Sequence, residues 1–418
     1  MLVFKFGGAS VKDAAGVENL ARIVKKYSGQ QLLIVVSAMG KITNALEKLT
    51  KAYVDQADDL DAIYADIKEY HHRILEGLFE PSHPIFNEIA NTFVEIDWMI
   101  EDEPHDDYDF IYDQIVSIGE LVSTRIVAAF LNQAGIKTHW LDARGYIHTD
   151  NNYREGNVYW DKTKASIGQN IPALLDKGVV VTQGFLGGTS ENFTTTLGRE
   201  GSDYTASIFA SCLKAESVTT WKDVPGILNA DPKFFDDTVK FDELSYTEAI
   251  EMTYYGASVI HPKTIKPLQN TKIPLLVKSF NDPDATGTVI KEVADTYFEK
   301  PVIILKQNQV LLSISAKDYS FISEDHLSDI FKLFAKNHVK VNVMQTSALS
   351  FTVCFDFYPE RFEKLLSELN QDFKVKYNND ITLITVRHYK QNALKELTAD
   401  KIVLLEQISR NTAQVVVK

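Results

Sequence analysis

Over the first 290 residues, short β-branched runs alternate with longer helical patterns. Strand patterns fall at 2–6, 32–37, 137–141, 178–183, 217–221 and 274–280, and amphipathic stretches near 12–27, 43–79, 112–134, 162–176, 202–214 and 244–256. Ile115, Ile118, Val122, Ile126 and Ala129 recur at the three-to-four spacing of a buried helical stripe. Several strand patterns are apolar on both faces, as strands of a parallel sheet covered by helices are. The pattern predicts an α/β fold, a doubly wound, layered α-β-α domain with a mainly parallel sheet, over residues 1–292. Turn residues cluster at 281–290, and from 300 onward strands dominate, in the order β-α-β-β-α-β, with helices near 324–338 and 359–370. That order predicts a ferredoxin-like α+β region over 300–418.

Composition narrows the function classes. Hydrophobic residues are 45% and charged residues 24% of 418, so the chain can bury a sizeable core without staples. The formal charge of −14 argues against broad electrostatic binding to nucleic acid or to an anionic membrane. Cys212 and Cys354 read as small buried hydrophobes in a reducing compartment, too few for a disulfide framework or a zinc site. No signal peptide and no run of about 18 apolar residues is legible, so a soluble, cytoplasmic protein is expected. The run EDEPHDDYDF (101–110), rich in acids and without Lys or Arg, reads as a solvated loop closing a helical section over 55–110.

Two glycine segments carry candidate chemistry. Gly7 and Gly8 stand at the carboxyl end of the first strand pattern, where open α/β sheets bind ligands, and are followed by Ser10 and a helical pattern. Paired glycines let backbone N–H groups approach an anion, a following helix N-terminus adds positive potential, and Lys5 is within reach of phosphate oxygens. A plain tight turn with Lys5 on the surface accounts for the same residues. The absence of G-x-x-x-x-G-K-[ST] rules out a P-loop. The segment 179–206 opens from an apolar strand into Gly184, Gly187 and Gly188, a Thr triplet, then Gly198-Arg199-Glu200-Gly201-Ser202-Asp203. Ser202 as N-cap and Asp203 as first-turn acid explain two of these residues. The glycines around one fork-shaped cation suit a grip on a small carboxylate beside a phosphate.

KFGGASV (5–11), SIGELVST (117–124), TTLGREGSDYTA (195–206), WKDVPGILNADPK (221–233) and GASVIHPKTIKP (256–267) resemble, in order, the signature blocks of the aspartokinases. The resemblance implies the amino-acid-kinase (carbamate-kinase-like) fold and a phosphotransferase with a carboxyl-group acceptor. It would move the γ-phosphoryl of ATP, with Mg²⁺, to the β-carboxylate of L-aspartate, opening lysine, threonine, methionine and isoleucine biosynthesis. By resemblance, Lys5 contacts phosphate beside Gly7, Gly8 and Ser10, and Asp203 orients that lysine. Ser37, Thr43, Glu120, Arg199 and Ser202 face aspartate, and Lys222, Asp223, Leu228, Lys233, Ser258 and Val259 face the nucleotide. The chemistry fits: the substrate ammonium needs an acid, its α-carboxylate needs a cation, and its β-carboxylate is already ionised near neutral pH. An internal salt bridge is the alternative reading of Glu120.

Several positions depart from the family pattern. Lys222 stands where Thr is usual, Leu228 where an aromatic is common, Lys233 where Arg is common, and Ser258 where Lys approaches ATP. Lys222 is a candidate to restore that cation from a neighbouring loop. His261 before Pro262 reads as a helix-start residue. The tail resembles a tandem of ACT regulatory domains, its second unit cut short after a third strand. Asn342 replaces an acid expected at an effector ammonium, and the usual glycine near Tyr319-Ser320-Phe321 is missing, which weakens the case for lysine feedback. A lysine or threonine effector at the tail, and a homodimer through its sheet edges, are the expected partners. The expectation is a monofunctional aspartokinase. The rivals are a kinase acting on glutamate or acetylglutamate, and a weakly active paralogue that senses an amino acid.

Overall fold

The computed structural model describes residues 1–257, 260–293, 298, 300–318 and 320–418. They form two compact units, one of Met1–Ile227, Lys240–Ile250 and Ile260–Thr296, the other of Leu228–Val239, Glu251–Val259 and Tyr297–Lys418.

In the first unit the described strands are β1 (Leu2–Phe6), β2 (Leu32–Val36), β3 (Thr138–Leu141), β4 (Val179–Gln183), β5 (Leu186–Gly188), β6 (Thr194–Thr196), β7 (Ser217–Lys222), β8 (Glu243–Ser245), β9 (Leu275–Ser279) and β10 (Thr288–Lys291). Its helices are α1 (Ala14–Lys25), α2 (Ile42–Val54), α3 (Leu60–Leu78), α4 (Ile85–Glu101), α5 (Tyr108–Val116), α6 (Ile118–Gln133), α7 (Trp160–Leu175) and α8 (Gly201–Leu213), then α9 (Tyr246–Tyr254), which runs on into the other unit, and α10 (Pro262–Thr271). The main sheet has the order β3-β4-β2-β1-β7-β9-β10-β8 among the described residues. It is parallel throughout except where β10 returns antiparallel to β9. The turn cluster at 281–287 is thus a hairpin inside this sheet.

The sheet's centre follows from alternation. Phe4 and Phe6 of β1 point to one face, where Trp221 stacks on Phe6 at 5.9 Å and meets Phe4 edge-on at 5.6 Å. That face is filled by Val17 and Leu20 of α1 and by Ile126 and Leu131 of α6. Lys5 points to the other face, in register with Thr220 of β7 and Val35 of β2, and α8 packs over β1 there. Every residue of β2 is buried, as a strand covered on both faces must be.

Tyr108–Gln133 is long and apolar enough by composition to cross a membrane, yet 78% of its apolar window is buried inside the protein. Leu121, Val122, Ile126 and Leu131 belong to the core, which makes this a core helix pair. The amphipathic stretch 43–79 is two helices. Gln56 adopts φ +51, and the Ala57 N–H bonds back to the Ala52 carbonyl at 2.8 Å, closing α2 without a glycine to signal it. Residues 102–107 form a largely exposed loop, while Glu101 ends α4 and Asp109 already lies on α5.

The second unit adds β11 (Val302–Ala316), β12 (Val341–Thr346), β13 (Phe351–Asp356), β14 (Phe373–Arg387), β15 (Val403–Ile408) and β16 (Thr412–Val417), with α11 (Glu324–Lys336), α12 (Pro359–Asp372) and α13 (Gln391–Thr398). One sheet, ordered β12-β13-β11-β14-β16-β15, holds all six strands. The later half of β11 with β12, β13 and the start of β14 makes a ferredoxin-like unit under α11 and α12. The end of β14 with β16 and β15 makes a second half, beside which Val302–Lys306 of β11 takes the fourth place. A strand upstream of the first half thus completes the sheet of the second, a placement the order of patterns along the chain does not reveal.

Candidate active site

The carboxyl ends of β1, β2 and β7 and the first turns of α6 and α8 meet at one edge of the sheet, where open α/β folds place ligands. Lys5 Nζ lies 3.3 Å from Asp203 Oδ1, both side chains nearly excluded from water. Burial pushes the Asp203 pKa up, but the charges of Lys5 and Lys222 and hydrogen bonds from Lys5 and Thr220 outweigh it, holding the carboxyl below the usual carboxylate range. Thr220 Oγ1 donates to Asp203 Oδ1 at 3.3 Å. Strand register offered a clue to Thr220, since it is paired with Lys5 and points to the same face.

Glu120 sits in the first turn of α6, 2% exposed. Its Oε1 accepts the Ala38 N–H at 3.1 Å, while Oε2 is buried without a partner. Burial pushes this carboxyl up to about 8, opposed by the Ala38 bond and by the charge of Lys5. Among the described residues the side chain makes no salt bridge, so an internal ion pair is not what holds it there. A buried carboxylate oxygen with no donor is a ready acceptor for a ligand's ammonium.

The glycine loop closes on the β2 loop. The Gly40 N–H bonds the Gly8 carbonyl at 3.0 Å, and a Cβ on Gly8 would stand 2.6 Å from the Gly40 carbonyl oxygen. A Cβ on Gly7 would come within 3.4 Å of Lys5 Nζ, so Gly7 lines the lysine's tip while Gly8 allows the close approach of the two loops. Beyond them the chain makes a single 3-10 turn, Gly8–Val11, and α1 starts after Asp13, whose carboxylate caps Gly16 N–H at 2.8 Å. Asp13 thus occupies one N–H of the α1 N-terminus, while the 3-10 turn that directly follows the glycines has no side-chain cap. Ser10 is buried, its hydroxyl 3.4 Å from the Trp221 carbonyl.

Ser37 directly follows β2, and its carbonyl accepts Ser123 Oγ at 2.7 Å, tying the loop to α6. Thr43 is half-buried in the first turn of α2. Ser202 is not the N-cap expected from the sequence. Glu200 holds that position in the left-handed region at φ +55, and its Oε2 accepts the His261 N–H at 2.8 Å. Ser202 instead packs in the first turn against Gly184, where a Cβ would fall 2.5 Å from its own. His261 caps α10 through the Lys263 N–H, as its place before Pro262 suggested.

Arg199 is exposed and has no polar partner among the described residues. Lys222 ends β7, where the Phe6–Trp221 register sets it beside Gly7, and Asp223 beyond it is exposed. Leu228 and Lys233 belong to the second unit. Ser258 and Val259 lie outside the described residues. Among the described residues no group of three or more His, Cys, Asp or Glu is arranged to hold a metal.

The amino acid kinase family matches residues 1–279. The chain is 32% identical over 358 residues to lysine-sensitive aspartokinase 3 of Escherichia coli, covering 85% of this chain and 78% of that one. It is 33% identical over 367 residues to the chloroplastic aspartokinase 1 of Arabidopsis thaliana, spanning 63% of that protein's length. The structure superposes on E. coli aspartokinase III in complex with aspartate and ADP with a TM-score of 0.83 at 28% identity, covering 100% of this chain and 96% of that one. The same enzyme in complex with lysine and aspartate matches with a TM-score of 0.83 at 28% identity, with coverage of 100% and 95%.

The buried pair makes a direct prediction. Asp203→Asn leaves the Lys5 cation without its counter-charge and should cost about 3–5 kcal/mol in denaturant unfolding, while Lys5→Met with Asp203→Leu should lose clearly less. Equal losses would mean that the pair is not electrostatically coupled.

Proposed function

The chain belongs to the aspartokinase branch of the amino acid kinase family, and from that premise we propose that it transfers the γ-phosphoryl of ATP to the β-carboxylate of L-aspartate, giving 4-phospho-L-aspartate and ADP. The observation that carries this reading is the buried Lys5–Asp203 pair with the half-satisfied Glu120 at the same sheet edge. A β-carboxylate oxygen forms the bond to the γ-phosphorus as the bond to the β–γ bridging oxygen breaks, and ADP departs with that electron pair. The nucleophile is already ionised, so no general base is required. The residues' task is to position the two substrates and to neutralise the transferring charge.

Lys5, steadied by Asp203, is assigned to the phosphoryl oxygens beside Gly7, Gly8 and Ser10. Glu120 is assigned to the aspartate ammonium and exposed Arg199 to its α-carboxylate, with Ser37, Thr43 and Ser202 around it. Lys222, at a strand end beside Gly7 and already acting on Asp203, is assigned to the nucleotide with Asp223. Leu228, Lys233, Ser258 and Val259 are assigned to the nucleotide by family resemblance alone. Mg²⁺ arrives as the counter-ion of the ATP phosphates and is part of the substrate.

Assembly as a homodimer has support in the tail sheet, whose edge strands β12 and β15 expose Met344, Val403 and Ile408. For an amino-acid effector, Asn342 offers little. Its Oδ1 accepts from Lys306 Nζ at 2.9 Å, and its Nδ2 donates to Gln309 Oε1 at 2.8 Å, so both ends are engaged inside the sheet.

The deciding experiment measures ADP release with aspartate, glutamate and acetylglutamate, each with and without lysine and threonine. Turnover with aspartate alone is expected. Binding of an amino acid without turnover of any of the three would instead point to a sensor.

Glu120 also fixes a pH dependence. With its carboxyl pushed to about 8, it is mostly protonated near neutrality in the ligand-free protein, and the ammonium favours its ionised form. Aspartate should therefore bind more tightly as pH rises from 6 towards 8, by at most about tenfold per unit, with protons released. Glu120→Gln should bind more weakly and lose this slope, and a slope that survives the substitution would remove Glu120 from the role. Without ligand the sign is opposite. The raised acid binds more protons folded than unfolded, so its contribution to stability falls as pH rises from the unfolded carboxyl range through about 8.

Lys222→Ala should raise the Michaelis constant for ATP about tenfold by removing a charge-assisted contact, with the constant for aspartate nearly unchanged. An unchanged ATP constant would end the case for Lys222 as a substitute cation.

A further inference from the structure

We propose that Asp113 is a positioning residue for the substrate end of the site, locking the strand that leads to Arg199 against the helix pair that carries Glu120. The inference rests on the aspartate kinase reading and extends it to a residue that neither sequence motifs nor substrate contact would single out.

Asp113 lies on α5 and is fully buried. Three donors converge on its carboxylate. The backbone N–H groups of Arg154 and Thr196 each reach Oδ2 at 2.9 Å, and the Thr196 hydroxyl reaches Oδ1 at 2.7 Å. Burial pushes the group up to about 6 despite those bonds, so desolvation works against the charge at this position. A carboxylate kept where desolvation opposes it is well explained by what its bonds hold in place.

They hold two chain segments. Thr196 ends β6, and Arg199 follows through Leu197 and Gly198, which turns at φ +76. Arg154 sits at φ +65 in the loop 151–156, with its guanidinium 4.3 Å from the Tyr112 ring and 3.3 Å from Asp109 Oδ1, both on α5. The Gly156 N–H bonds the Thr196 carbonyl at 2.9 Å, and a Cβ on Gly198 would lie 3.3 Å from the Arg154 carbonyl oxygen. One carboxylate therefore fixes both β6 and this loop to α5. The helix continues through Ser117, itself helical at φ −59 and ψ −26, into α6 and Glu120. Gln114 of α5 brackets Thr194 with two further bonds, at 2.9 and 3.1 Å, and Asp113 adds the hold at Thr196, the β6 residue nearest Arg199. The separation between the cation assigned to the α-carboxylate and the acid assigned to the ammonium therefore depends on Asp113.

Asn at this position keeps the shape but offers one acceptor oxygen and turns an NH₂ toward donors, so at least one of the three bonds is lost. In Asp113→Asn, aspartate affinity, read both as Kd by calorimetry and as KM, should fall about tenfold while the KM for ATP stays within about twofold. Thr196→Val removes only the hydroxyl donor and should shift aspartate affinity in the same direction by less. The double variant should lose less than the sum of the two single effects. Thr196→Val also carries the test by itself if Asp113→Asn does not fold. An unchanged aspartate affinity, or ATP and aspartate constants rising together, overturns the inference. If the wild-type chain binds aspartate without phosphorylating it, the kinase reading falls, and the calorimetric Kd of the variants still decides the role of Asp113. A wild-type chain that binds no aspartate overturns both.

Discussion

Burying the ammonium of Lys5 is the constraint from which the geometry of the first unit follows. Strand alternation sends this side chain to the face opposite Phe4 and Phe6, under α8, where water cannot solvate it. A buried cation is tolerable only with a partner held at hydrogen-bonding distance, so α8 has to deliver Asp203 from its first turn directly over β1. That close approach excludes side chains at particular points. A Cβ on Gly184 would collide with Ser202, and one on Gly201 would lie 2.5 Å from the Phe185 ring. Glu200 then turns into the helix through the left-handed region. The glycines of this segment thus serve the approach of a helix to a strand before they serve any ligand.

The same cation acts on two acids whose environments drive them in opposite directions. Asp203 has Lys5, Lys222 and Thr220 around it and stays ionised despite complete burial. Glu120 has one backbone N–H and only the more distant influence of Lys5, and burial prevails. Divergent environments for two carboxylates mark two different tasks. One acid is already satisfied by the protein and serves to fix a cation. The other keeps an unsatisfied oxygen, and a ligand's positive group can complete it.

Much of this was legible in the sequence, for physical reasons. The parallel sheet announced itself because strands covered on both faces must be apolar throughout, as 32–36 is. Lys5 stood out as a charge inside an apolar strand pattern and the paired glycines by their place at that strand's carboxyl end, while Glu120 and Asp203 stood out through the family blocks that contain them. Some features left no local trace. The break between α2 and α3 depends on Gln56 accepting a left-handed conformation, which its residue type does not advertise. The N-cap of α8 shifted from Ser202 to Glu200 because a tertiary partner, the His261 N–H, pays for a strained conformation that local capping preference would avoid. Asp113 looks like one more acid after an acidic run, and only the folded chain brings Arg154 and Thr196 to it.

The tail shows the same limit at the level of topology. Read in order, its strands leave a second ferredoxin-like half one strand short, yet Val302–Lys306 fills that place from upstream of the first half. β11 can serve both halves because its register shifts between Lys306 and Gln309, with Asn308 at φ +54, so each segment faces its own core. β14 likewise pairs with β11 on both sides of that irregularity. Two halves that share their two longest strands cannot be parted without exposing unpaired backbone and the apolar faces of both cores. The six strands are therefore one cooperative structure, although the sequence reads as two successive modules.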